Sequence, residues 1–144
     1  MALTDPDVAL QAIADNLAAA LPARRVGRSL VDPAMQSRED MQAGIFCLVT
    51  EGGGSFANYL GREADLGAVR ARLVGFVAVE EGTDPEEIER AELAMLMDAL
   101  RWINAPGPSG YGAGVSSIYP EDWAQSKQLE HPYGWIVLSL RLKY

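Results

Sequence analysis

Near the start of the chain, apolar residues recur every third or fourth position, at Leu10, Ile13, Ala14, Leu17 and Leu21. That spacing predicts an amphipathic helix packed along one face. Asp5 (or Thr4) supplies an N-cap, Pro6 suits the first helical position, Asp7 falls in the first turn, and Pro22 marks the end. An extended piece is expected from Arg25 to Val31, stopped by Asp32-Pro33, and the stretch from Ala34 to Met41 is ambiguous. Gly44 to Thr50 is mostly apolar and suits a central strand. The Gly-rich stretch from Glu51 to Gly61 reads as a flexible connection.

A longer strand is predicted from about Gly67 to Glu80, and its pattern changes along its length. Val69, Ala71, Leu73, Val77 and Val79 form one apolar face; the other begins with Arg70 and Arg72 and finishes with Val74 and Phe76. One end should therefore be wet on one side and the other end covered on both. Thr83-Asp84-Pro85-Glu86-Glu87 then supplies an N-cap, a Pro at the first helical position, acids in the first turn and a Glu placed for a capping box. The helix it opens should reach Trp102 or Ile103. Ile88, Ala91, Met95, Ala99 and Trp102 form a stripe that Leu93, Leu96, Met97 and Leu100 widen, which predicts burial on two sides.

A Gly- and Pro-rich loop from Pro106 to Gly114 leads to a strand near Val115 to Tyr119, which Pro120 interrupts. The last segment alternates strictly. Ile136, Leu138, Leu140 and Leu142 take one face, Ser139, Arg141 and Lys143 the other, as in a strand covered on one side. The order of elements, without internal repeats, predicts one domain over residues 1–144 of α+β class: a single, mostly antiparallel β-sheet with two main α-helices packed on one face.

Composition narrows the function classes. A chain of 144 residues can bury a core without disulfides or metal. Cys47, the single cysteine, lies in an apolar run and reads as a small buried hydrophobe. No basic and apolar leader is visible at Met1 to Asp7, and no apolar stretch approaches the roughly 18 residues of a membrane span. A soluble intracellular protein without membrane partners is expected. The net charge of −8 argues against nucleic acid, whose phosphates demand clustered cations. Arg24, Arg25 and Arg28 form the tightest basic group, and charge compensation at a helix end explains them.

No residue constellation indicates catalysis, and neither cofactor nor metal is expected. His131 is the only histidine, so a zinc site lacks ligands, and no Gly-x-Ser-x-Gly elbow accompanies it. Gly52-Gly-Gly-Ser55 lacks the Lys of a phosphate-cradling loop, and Gly110-Tyr-Gly-Ala-Gly114 follows a helix, not the strand that a dinucleotide site requires. The acid pairs Glu80-Glu81, Glu86-Glu87 and Glu121-Asp122 suit capping and solubility. Aromatics on predicted loops are candidate interface anchors: Phe56 and Tyr59 in the first Gly-rich stretch, Tyr111 in the second, with Trp123, Tyr133 and Trp135 near the closing hairpin. Burial under folded-back loops is the equal alternative.

The whole order of elements resembles the tail terminator proteins of tailed bacteriophages, the family that includes the minor tail protein U of phage lambda. The likeness rests on the N-terminal helix, the Ile45 to Val49 strand, the long strand ending Phe76-Val-Ala-Val79 before an Asp-Pro-Glu-Glu-capped helix, and the hairpin carrying Trp135 to Tyr144. The Pro106 to Gly114 loop departs from it. The resemblance implies a non-enzymatic structural protein of a phage or prophage, a homohexameric ring that caps the tail-tube protein and presents a surface to a head-completion protein. It would assemble in the bacterial host cytoplasm and end in the virion tail. Candidate interface residues are then Arg70 and Arg72, facing acidic groups on a neighbour, with Phe56 and Tyr59 in a loop ordered on tail binding, and Tyr111, Arg141 and Lys143. A solvated strand face explains the arginines equally. A head–tail joining or neck protein, and a small-molecule binding module or enzyme with a cavity under the Gly-rich loops, remain open.

Overall fold

A computed structural model describes residues 5–57, 65–108 and 110–143. Helix α1 (Pro6–Ala20) opens with Asp5 in extended conformation, its carboxylate accepting from the Asp7 amide at 2.9 Å. Strand β1 (Arg25–Gly27), a 3₁₀ turn (Pro33–Met35) and short helix α2 (Arg38–Ala43) lead into β2 (Ile45–Ala57) and β3 (Asp65–Ala78). Helix α3 (Pro85–Ile103) and the hairpin of β4 (Ser117–Gln125) and β5 (Tyr133–Lys143) complete the chain.

These strands form one sheet in the order β1-β2-β3-β5-β4. β2, β3, β5 and β4 pair antiparallel, and β1 pairs parallel to β2. The fold is α+β with a mixed, mostly antiparallel sheet. Register assigns every side chain to a face. Phe46, Leu48, Ala71, Leu73, Ile136, Leu138 and Leu140 point to the same side and form one core with Leu10, Ile13 and Leu17 of α1 and Ile88, Met95 and Ala99 of α3. Trp102 Nε1 donates to Asn16 Oδ1 at 2.8 Å, joining the two helices.

The opposite face is divided. Toward the Phe76 end of β3, Met41 of α2 packs with Ile45 and Cys47 into a second small cluster, with Val31, Phe76 and Ala78 against it. Toward the Arg70 end, no helix covers the sheet among the described residues, as the change of pattern along β3 predicted. The ambiguous stretch before Met41 is thus the segment that covers the second face.

Several expectations require correction. The extended piece from Arg25 pairs only as far as Gly27. The Gly-rich run from Glu51 is no loop up to Ala57: it continues β2, with Gly54 opposite Val69 and Ala57 opposite Asp65. Gly has weak strand propensity, and Glu51, Gly52 and Gly53 have no paired partner on β3; they form the irregularity between the Thr50–Ala71 and Gly54–Val69 pairs, beyond which pairing resumes. Pro120 does not end β4; it sits in an edge strand beside a bulge, where a missing N–H is tolerated. Asp84 holds the N-cap position of α3 without a side-chain bond. Finally, within one chain Leu93 and Met97 leave part of the apolar arc of α3 exposed, whereas the polar Glu92 is wholly buried.

Candidate functional site

The uncovered part of the sheet gathers four of the candidate residues. Arg70 and Arg72 on β3 and Arg141 and Lys143 on β5 alternate with core residues, so all four project from the side away from α1 and α3. Arg70 stands directly opposite Arg141, Arg72 opposite Ser139, and Ala68 opposite Lys143. The next strand extends the surface, with Tyr119 opposite Arg141 and Asp122 opposite Ser139.

Each cation has a different environment. Arg72 Nε meets Glu51 Oε1 at 2.9 Å, with the carboxylate more sheltered than the guanidinium. In water such a pair contributes about 0.2–1 kcal/mol. Arg141 lies over the Tyr119 ring, 5.1 Å from its centroid, a cation–π contact of roughly 0.5–1 kcal/mol at an exposed position. Arg70 runs beside the Gly52-Gly53 stretch, and its Cδ lies 4.0 Å from where a Gly53 Cβ would stand. Among the described residues no carboxylate pairs with Arg70, Arg141 or Lys143. Arg70 and Arg141 are opposed in register, but their side chains lean to different sides, Arg70 beside β2 and Arg141 over β4.

The other candidates lie elsewhere. Tyr111 is buried in the core: its hydroxyl donates to the Ile103 carbonyl, and its ring meets Trp102 edge-on, centroids 5.5 Å apart. It fastens the Pro106 to Gly114 connection under the end of α3. Gly110 makes this possible, because at φ +72° a Cβ there would lie 2.6 Å from the Val115 carbonyl. Phe56 falls on the backbone of β2 opposite Leu66, but its side chain, like the whole of Tyr59, lies outside the described residues. Trp123 and Tyr133 are partly exposed, at 49% and 39%, and Trp135 is half-buried.

Sequence reasoning missed two features. Tyr119, the platform under Arg141, is identified only by strand register. Glu92 had a local signal, since it stands four residues from both Ile88 and Leu96 on the buried arc of α3. Its carboxylate accepts from the Trp135 amide at 2.9 Å, from Gln125 Nε2 at 3.3 Å and from the buried Ser126 hydroxyl. This is a structural clasp between α3 and the β4–β5 hairpin.

A groove of about 390 Å³ lies at the opposite end of β3, lined in part by Arg38, Met41, Glu80 and Tyr133. The exposed Arg38–Glu80 pair, 3.1 Å apart, belongs to it. His131 Nε2 stands 3.3 Å from Thr83 Oγ1. Among the described residues, no three His, Cys, Asp or Glu side chains are placed to share a metal ion, and no helix is long and apolar enough to cross a membrane. Neither a scan against protein-family models nor a search of curated proteins gives a match for this chain.

Proposed function

We propose that this chain is a structural protein of a tailed bacteriophage or prophage, of the tail-terminator kind: a ring-forming subunit, hexameric in the completed assembly, that caps the tail tube and presents a surface for head joining. The observation that carries this reading is the open sheet face. Arg70 and Arg141 are held opposite each other on a paired, rigid surface, in a chain whose net charge is −8. A cationic face on an acidic protein suits a protein partner of complementary charge. The element order behind the family resemblance agrees with the same reading, with helices α1 and α3 together on one face of the sheet. In a ring each subunit uses two different surfaces, and the open sheet region is one surface of this chain that its own helices leave free among the described residues.

Sedimentation velocity over a range of concentrations, with electron microscopy of the protein mixed with tail tubes of the virus whose genome carries it, tests the proposal. Hexameric rings, or tubes capped at one end, are expected. A monomer at every concentration that leaves tube ends bare refutes it.

A further inference from the structure

Charge is distributed along β3 in a way that identifies what the open face receives. At one end stand Arg70 and Arg72, with Arg141 and Lys143 beside them on β5. At the other, the turn from β3 into α3 holds Glu80, Glu81, Asp84, Glu86 and Glu87. Glu80 is paired to Arg38, and Glu86 and Glu87 share Arg90; all are exposed or half-exposed pairs. Glu81 and Asp84 are exposed and meet no cation among the described residues. The Asp84 carboxylate makes no capping bond to its own helix.

The two regions cannot neutralise each other within one molecule. Arg70 and Glu80 are ten positions apart, so at ~3.3 Å per residue the separation is about 33 Å. The Debye length is roughly 8 Å at physiological ionic strength, so the attraction is screened away over that span. Between two molecules the regions can come into contact. The open face carries more cations than acids even with Glu51 and Asp122 counted, and the turn more acids than cations even with Arg38 and Arg90 counted. Two different surfaces of opposite net sign match head to tail, not by a two-fold axis, and head-to-tail contacts are those that close into rings.

We propose that the open sheet face of one copy, Arg70, Arg72, Arg141 and Lys143, receives the acidic β3–α3 turn, Glu80 to Glu87, of a second copy. This rests on the ring reading above and specifies its subunit contact. Arg70 and Arg141 supply planar guanidinium donors, and Glu81 and Asp84 supply the carboxylates that their own chain leaves unused. Each guanidinium, which pairs with no carboxylate among the described residues of its own chain, gains one from the second copy.

A charge exchange tests the contact. Arg70→Glu with Arg141→Glu reverses the two unpaired guanidinium positions of the face; Glu81→Lys with Asp84→Lys reverses the two unpaired carboxylate positions of the turn. Self-association is followed by sedimentation velocity, and by end-capping of tail tubes where rings form only there. Each double variant alone should associate at least about ten-fold more weakly than the wild type, and an equimolar mixture should recover to within a few-fold. Rescue arises because mixing restores both interface types in an alternating ring. Raising NaCl from about 0.05 to about 0.5 M should weaken wild-type association. Arg70→Lys with Arg141→Lys, which keeps the charge, should retain most of it. Urea midpoints show that each variant folds.

If the reversed variants assemble like the wild type, or the folded mixture fails to recover, the assigned contact is wrong while the ring reading stands. If the wild type neither associates nor caps tubes, the ring reading falls and the contact with it. If the wild type retains a labelled DNA duplex that the Arg70→Glu, Arg141→Glu variant releases, the face binds phosphate, and the contact is overturned.

Discussion

Replacing Glu92 with leucine removes an acceptor from the one place where α3 grips the closing hairpin. The donors left behind decide the cost. The amide of Trp135 points past the end of β4, where Gln125 opposite Ile136 is the last pair, and backbone geometry fixes it there. The Ser126 hydroxyl can rotate, but the residue is 3% exposed and little water reaches it. Gln125 is half-buried and can turn its amide outward. A buried donor stripped of its partner costs about 1–3 kcal/mol, so two such donors, offset by the extra apolar surface of leucine, give about 3 kcal/mol. Glu92→Gln separates this account from simple packing. Its oxygen can take the place of Oε2, accepting from Trp135 and Ser126, while its amide nitrogen faces a flipped Gln125 side chain. The expected loss is about 1 kcal/mol, from weaker neutral bonds.

Thermal unfolding followed by tryptophan fluorescence reads both variants. With an unfolding entropy of roughly 2.1 cal/mol/K per residue, 144 residues give about 0.3 kcal/mol/K, so Glu92→Leu should lower Tm by about 10 °C. The glutamine variant should lower it by about 3 °C. A leucine variant as stable as the wild type, or a glutamine variant as unstable as the leucine one, refutes the reasoning.

Gly134→Ala should destabilise by about 2 kcal/mol through overpacking, because the new Cβ would stand 2.5 Å from Ile88 Cγ1 and 2.9 Å from Ile88 Cδ1; the urea midpoint measures it. Asp5→Ala should cost about 1 kcal/mol, since its carboxylate caps α1, whereas Asp84→Ala should cost only a few tenths, since that side chain makes no capping bond. Thermal denaturation of the two side by side checks the contrast. Burial pushes the pKa of the Cys47 thiol up, against smaller lowering effects of a Val31 backbone bond and the Arg25 charge, and burial also pushes up that of the Tyr111 phenol. Both groups lose their proton first in the unfolded chain, so stability should decline as pH rises above about 9, and Cys47→Ala with Tyr111→Phe should flatten that decline. Thiol labelling of the native protein should be slow and should follow opening of the fold.

Local periodicity made α1 and β5 legible. Leu10, Ile13 and Leu17 need only the helical repeat, and Ile136 to Leu142 only the alternation of a strand. The change of character along β3, from Arg70 and Arg72 to Val74 and Phe76, likewise disclosed a half-covered face. The missed features depend on partners distant in the chain. Glycines 52 to 54 carry no strand signal of their own, and only the pairing with β3 that resumes at Gly54, beyond a bulge, keeps the run in the sheet. Tyr111 lies on a loop rich in glycine and proline, and only Ile103 and Trp102 explain its burial. Arg70 and Arg141 were each assigned to a polar face, but their direct opposition follows from register across β3 and β5, which no local pattern specifies.

That register links the clasp to the open face. The polar and apolar sides of β5 exchange with a slip of a single residue, which would turn Arg141 and Lys143 inward and expose Leu140 and Leu142. Two contacts at the start of the strand prevent it. Glu92 takes the Trp135 amide, and Ile88 fits against Gly134, where no larger residue can stand. A strand fixed at residues 134 and 135 has its faces assigned through Lys143, so α3, on the far side of the sheet, determines that Arg141 emerges over Tyr119 and opposite Arg70. Loosening the clasp should therefore weaken association as well as stability. Glu92→Gln, which keeps the Trp135 bond, should preserve the charge-dependent contact at temperatures where it remains folded. Glu92→Leu should weaken that contact before the sheet unfolds, a difference that sedimentation below both melting transitions can detect. Equal association by the two folded variants would show that β5 holds its register without the clasp.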